Sequence, residues 1–293
     1  MQLLELFLLQ ALYYLLNKIL KDYFVRNIDS PRQITEGRDG YVFVGSKQGK
    51  VYALKDHDNN GEIDDIQIIL DGLNDSSGVA YKNGSLYVAE IDKVWRIDNI
   101  EENLDTFSEK SLSKILVTDD LPSDQWHGRK WIMVDDDGSI FLNIGAPCNV
   151  CLNDDERYAT IVKLKDEKWT IEARGVRNSV GFDVNPINNK LYFTDNGRDW
   201  MGDSIPSCEL NVLEESGDFF GFPYLHSSDV IDPEYGDGQH GFEIKKPILE
   251  LGAYSHSCCY LVQRWLEESS KRLTEIKFGS LEIPFHPYLA SVN

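Results

Sequence analysis

A chain of 293 residues, 42% hydrophobic and 11% aromatic, can bury a sizeable core, which speaks against a disordered protein. A formal net charge of −20 opposes binding to nucleic acid, whose phosphates call for clustered Lys and Arg, and suits cations, a neutral ligand or plain solubility. Five cysteines are too few for a disulfide scaffold at this length.

Residues 1–28 come first. Apolar residues from Leu3, Leu4, Phe7 and Leu8 to Ile19, Leu20 and Tyr23 recur at helical spacing, which predicts an amphipathic helix. Glu5, Asn17 and Lys18 interrupt it as a membrane span. It lacks the basic start and small-residue cleavage site of a signal peptide. Three roles stay open: a packing helix, an interfacial anchor meeting a membrane surface through residues 1–23, or a degraded export signal.

Residues 29–252 read as an all-β domain. Four strand cores resemble one another: Tyr41 to Ser46, Leu86 to Ile91, Ile140 to Gly145 and Leu191 to Asn196. They recur about every 50 residues, the period of a propeller blade. A turn precedes each: Asp39-Gly40, Asn83-Gly84, Asp137-Gly138 and Asn188-Asn189. Gly and Asn there tolerate the positive φ that tight hairpins need. The pattern predicts four to five blades, and stops after Leu251. Residues 253–293 form a divergent tail whose stretch Tyr260 to Ile276 reads as a charged helix. An open ring leaves unpaired blade faces, so truncation, or an oligomer that completes the ring, is expected.

Three places carry candidate chemistry. Asp56, Asp58, Asn60 and Asp64, with Gly61 at the bend, match the first half of a calcium loop, although Gln67 stands where a bidentate Glu is usual. The same residues also make a good acidic hairpin loop. Cys148 and Cys151 form an isolated C-x-x-C, which fits a short-range disulfide or two thiols better than zinc. Between Gly175 and Pro223, Arg177, Asn178, Asp195, Gly197, Arg198, Asp203 and Glu209 gather around strand ends. A fixed guanidinium there can hold an anion, and carboxylates with exposed carbonyls can hold calcium. A network that merely pins loops together would use the same residues.

This stretch resembles the glucose/sorbosone dehydrogenase family, which depends on pyrroloquinoline quinone (PQQ). The likeness lies in Gly175-Val176-Arg177-Asn178, in Asp195-Asn196-Gly197-Arg198-Asp199, in Glu209-Leu210-Asn211 and in Gly221-Phe222-Pro223. It extends back through Gly145-Ala146-Pro147-Cys148-Asn149 and Leu121-Pro122 with His127-Gly128, to Ser77-Gly78-Val79 and Pro31-Arg32-Gln33. The resemblance implies a six-bladed β-propeller and a sugar or sugar-aldehyde substrate. It implies PQQ and calcium as cofactors, an electron acceptor that the sequence does not name, and a periplasmic or secreted location. His127 would be the general base. Arg177 and Asn178 would contact the cofactor, and the Gly197-Arg198 carbonyls its calcium. Asp195, Asp203 and Glu209 would brace that loop or bind a second calcium. Leu251-Gly252-Ala253-Tyr254 resembles the entry to a fifth blade. Two alternatives stand beside the enzyme: a non-catalytic propeller fragment serving as a binding module, and a calcium-dependent sugar lactonase.

Overall fold

The computed structural model describes residues 28–58, 63–105, 112–238 and 240–253. The helix expected over residues 1–28 and the tail over 253–293 therefore lie essentially outside the described residues, as do Asn60 and Gly61. What is described is almost all β-structure, built as four four-stranded antiparallel blades.

The first blade holds β1 (Pro31–Glu36), β2 (Tyr41–Ser46), β3 (Val51–Lys55) and β4 (Asp65–Leu70). The second holds β5 (Gly78–Lys82), β6 (Ser85–Ala89), β7 (Val94–Ile97) and β8 (Ile115–Thr118), with a short helix α1 (Ile100–Asp105) before the last. The third holds β9 (Ile132–Val134), β10 (Ile140–Ile144), β11 (Thr160–Lys165) and β12 (Lys168–Arg174). The fourth begins with β13 (Phe182–Val184), β14 (Leu191–Asp195) and β15 (Cys208–Val212). The chain then detours. Strand β16 (Asp218–Phe219) adds in parallel to β12, and β17 (Leu225–His226) pairs with β18 (Val230–Ile231). Strand β19 (Leu249–Gly252) returns to close the fourth blade against β15. Tyr254 of the expected fifth-blade entry lies outside the described residues, and Leu251-Gly252 before it is the outer edge of blade four. Its pairing runs through residues some 40 positions earlier, which local sequence does not reveal.

The four repeated cores are the second strands β2, β6, β10 and β14. The turns before them behave as their residues dictate: Asp39 and Gly40, like Asn83 and Gly84, all have positive φ. Three apolar layers then weld the blades face to face. Phe43, Val51, Val79 and Leu86 join blades one and two. Ala89, Val94, Ile132 and Leu142 join two and three, and Phe141, Ile161, Phe182 and Phe193 join three and four. Each such buried side chain contributes roughly 1.5–3 kcal/mol relative to exposure.

The innermost strands β1, β5, β9 and β13 surround the axis, where a cavity of about 140 Å³ is lined by Gln33, Val79, Ile132 and Phe182. Gln33 ties three blades there. Its amide donates to the Ile132 carbonyl at 2.7 Å and accepts from the Ile132 and Val79 amides at 3.0 and 3.2 Å.

Candidate functional site

Loops from blades two, three and four converge at one end of the propeller. His127 arrives on the loop between β8 and β9 with φ of 52°, the left-handed region that few side chains adopt. Gly145, just past β10, lies against its back: a Cβ there would stand 2.6 Å from His127 Cβ and 2.7 Å from its carbonyl oxygen. Glycine is therefore required by close approach. The imidazole Nδ1 sits 2.8 Å from the Ala146 carbonyl, which can only accept, so Nδ1 carries the proton. Nε2 is the accepting nitrogen, and Trp126 Nε1–H donates to it at 3.1 Å. Burial pushes the imidazole down to about 4, and the positive charges of Arg177 and Arg129 act in the same direction. His127 is thus neutral at pH 7.

Arg177 is 3% exposed and bonded at every donor. Nε donates to the Asn149 carbonyl at 2.8 Å. Nη1 reaches the Asn196 and Gly197 carbonyls at 3.2 and 2.9 Å. Nη2 reaches the Asn149 side chain at 2.8 Å and Asp199 at 3.1 Å. A guanidinium has five N–H groups, and these five acceptors engage them all. The arrangement makes Arg177 a strut that fixes the Asn149 and Gly197 loops. Asn178, half-buried, contributes its backbone: its N–H donates to Asp195 at 2.6 Å and its carbonyl accepts from Asn196 at 3.2 Å. Cys148 and Cys151 are joined by a disulfide in the same loop as Asn149.

Asp195 and Glu209 face each other across the β14–β15 ladder, both about 6% exposed. The Arg177 and Asn178 amides bind Asp195, and Glu209 accepts from Asn211 Nδ2 at 2.9 Å and the Ser227 amide at 2.7 Å. Burial pushes Asp195 up to about 7. Burial and the Asp195 charge push Glu209 up to about 8. They line a cavity of about 10 Å³ with Asn196, Gly197 and His226, room for one water-sized occupant. The Asn196 and Asn211 side-chain oxygens are buried without a hydrogen-bond partner. Of these two, Asn196 lines the cavity, so two carboxylates and one idle amide oxygen meet there, oxygen donors of the type a hard cation takes.

Arg198 does not turn to the mouth. Its guanidinium pairs with Asp232 and Glu234, and Asp232 also binds His226 Nε2 at 2.8 Å. Asp203 lies in an exposed loop, apart from the buried Asp195 and Glu209. The structure therefore does not bring it into that cluster. Asp56, Asp58 and Asp64 do converge, with ligand oxygens within 4.8 Å of one another. The His57 amide donates to Asp64 at 2.8 Å, and Gln67 turns its amide nitrogen to Asp65 at 2.9 Å.

Three neighbours of His127 carry no motif that marks them in the sequence. Trp126 caps it. Arg129 pairs with Asp75 at 3.0 Å and is 40% exposed. Lys130 is buried with its ammonium on the Gly128 carbonyl at 2.6 Å, and burial pushes it down to about 8. Their nearness to His127 in the run Gln125 to Lys130 was the available signal.

No profile of a known protein family matches the chain. An uncharacterized protein of Borreliella burgdorferi is 36% identical over 212 residues, which make up 70% of this chain and 54% of that protein. The chain thus spans about half the length of the curated relative it matches. Solved structures share the propeller. The PQQ domain of a pyranose dehydrogenase from Coprinopsis cinerea superposes with a TM-score of 0.61 at 15% identity, covering 76% of this chain and 60% of that domain. A calcium structure of a Trichoderma reesei carbohydrate-active enzyme gives 0.61 at 17% identity, covering 81% and 66%. The PQQ-bound aldose sugar dehydrogenase of Streptomyces coelicolor gives 0.52 at 14% identity, covering 78% and 70%. In fold, the chain is a β-propeller of the kind seen in PQQ-dependent sugar dehydrogenases.

Proposed function

We propose that this chain carries the base-bearing part of a PQQ- and calcium-dependent enzyme that oxidises a sugar or sugar aldehyde. The observation that supports it most is His127: a neutral imidazole whose Nδ1–H is fixed by Ala146, which leaves Nε2 as its basic nitrogen. A positioned base of this kind contributes about 10²–10⁴-fold.

The donor set tests the cofactors separately. Calcium suits the Asp195–Glu209 cavity because the buried Asn196 amide oxygen there lacks a hydrogen-bond partner. For PQQ, Arg177, Arg198 and Arg129 all have their charges engaged by protein carboxylates, and Arg129, 40% exposed against 3% and 10% for the others, is the one whose guanidinium stays open to a second anion. Bound PQQ would supply the hydride acceptor.

The chain's own residues do the rest. Ala146 orients the imidazole. Nε2 takes the proton from the substrate hydroxyl. Arg177 holds the Gly197 carbonyl in place from below, and through Asn149 the disulfide-closed loop. The net charge of −20 leaves a neutral sugar as the favoured small molecule.

A second reading, a non-catalytic binding module, has one observation in its favour: the Arg177 and Arg198 donors are already engaged within the chain. Incubation with PQQ and calcium, followed by dye reduction with a panel of aldoses, separates the two. Turnover supports the enzyme; full folding without PQQ uptake or turnover supports the binding module.

A further inference from the structure

An imidazole has one accepting nitrogen when neutral, and in His127 it is occupied. Trp126 Nε1–H donates to Nε2 at 3.1 Å, and the two rings meet edge to face with centroids 6.0 Å apart. An indole N–H is a donor only and does not give up its proton at ordinary pH. The base is therefore blocked as it stands: the nitrogen that must receive a substrate proton already accepts a hydrogen bond that cannot transfer one. The other contacts of His127 are fixed. Its Nδ1 is held by Ala146, its φ is left-handed, and Gly145 closes its back. Trp126, by contrast, is 49% exposed, so it is the partner that can yield.

We propose that Trp126 is a displaceable cover and positioning residue for His127, and that its indole N–H marks the place of the substrate hydroxyl. A ligand bearing an O–H docks by replacing one donor with another on the same atom, and the hydroxyl then lies where Nε2 can take its proton. The cover itself stands on geometry alone. The identity of the displacing ligand, a sugar hydroxyl, rests on the function proposed above.

The test uses Trp126→Phe, which keeps a ring and removes the donor at a half-exposed position. Diethyl pyrocarbonate modifies neutral imidazoles, and peptide mass spectrometry resolves each of the six histidines. The measurement is made on the full chain without cofactor or sugar, with exposed His57 as internal reference. His127 should react about fivefold faster in the variant, the factor for one ordinary hydrogen bond, with His57 unchanged. An unchanged His127 rate overturns the cover, whatever the enzyme does. In turnover with PQQ and calcium, KM should fall by a similar factor with kcat retained. Faster modification with an unmoved KM overturns displacement by the substrate. Absence of turnover in the unmodified chain refutes the enzyme reading and leaves the modification result to decide the cover.

Discussion

Gly145→Ala is the sharpest probe of how His127 is held. The added Cβ would lie 2.6 Å from His127 Cβ and 2.7 Å from its carbonyl oxygen. Carbon atoms in contact prefer about 3.5 Å, so one side must retreat by about 0.9 Å. Neither of these atoms is the far end of a flexible side chain, and His127 already sits at a left-handed φ, so the His127 loop shifts as a unit. That movement stretches the Nδ1 bond to Ala146 from 2.8 Å toward the limit of a hydrogen bond. Overpacking of this size costs about 1–3 kcal/mol in stability. Misplacing a reacting group by about 1 Å can cost about 10²-fold in rate. Thermal melting and dye-linked sugar oxidation on the same preparation check both numbers. A folded Gly145→Ala protein with the turnover of the parent would refute the claim that His127 acts from this fixed position.

Other expectations follow from the same geometry. Gln33→Ala removes three bonds between inner strands and leaves three buried backbone groups unpaired, so a loss of about 3 kcal/mol or more is expected by chemical denaturation. Arg177→Met leaves the buried Asp195 without its cationic neighbour and several carbonyls without donors. It should destabilise by about 3–5 kcal/mol even in the absence of any cofactor; a stable variant that loses only PQQ binding would instead make Arg177 a ligand. In calcium-free protein, Asp195 and Glu209 hold protons in the folded state that the unfolded chain has already released. Stability should therefore fall as pH rises from the ordinary carboxylate range through about 7 to 8. Calcium binding there displaces those protons, so affinity by titration calorimetry should increase from pH 6 to pH 8, and Glu209→Gln should weaken it. A calcium affinity that Glu209→Gln leaves intact would move the ion elsewhere, with the Asp56 loop as the next place to look.

Much of the fold was legible because each blade announces itself at its second strand. Tyr41 to Ser46, Leu86 to Ile91, Ile140 to Gly145 and Leu191 to Asn196 are apolar runs after turn residues, and that combination has a local cause. Two of the inner strands, Ile132–Val134 and Phe182–Val184, are only three residues long, too short to show a period. The closing strand of blade four was illegible for a different reason: Leu249–Gly252 finds its partner across a detour from β15. At the site, His127, Arg177, Asp195 and Glu209 were legible as residue types at motif spacing. What they do was not. Whether a guanidinium is open or saturated depends on partners such as Asn149 and Asp232, 28 and 34 positions away from Arg177 and Arg198. Asp203 shows the converse: its spacing suggested a ligand, but its loop stays exposed while Asp195 and Glu209 are drawn inside by the ladder. Trp126 had no motif to flag it, and only the fold shows that its indole meets Nε2.

If His127 is the base of a sugar oxidation, removing its imidazole removes the turnover. The direct measurement is aldose-dependent dye reduction by the protein incubated with PQQ and calcium, run beside His127→Asn. Turnover is expected in the parent and a fall of about 10²–10⁴-fold in the variant, with calcium binding retained. Equal rates in the two proteins, or none in a folded parent that has taken up PQQ, would contradict that role for His127.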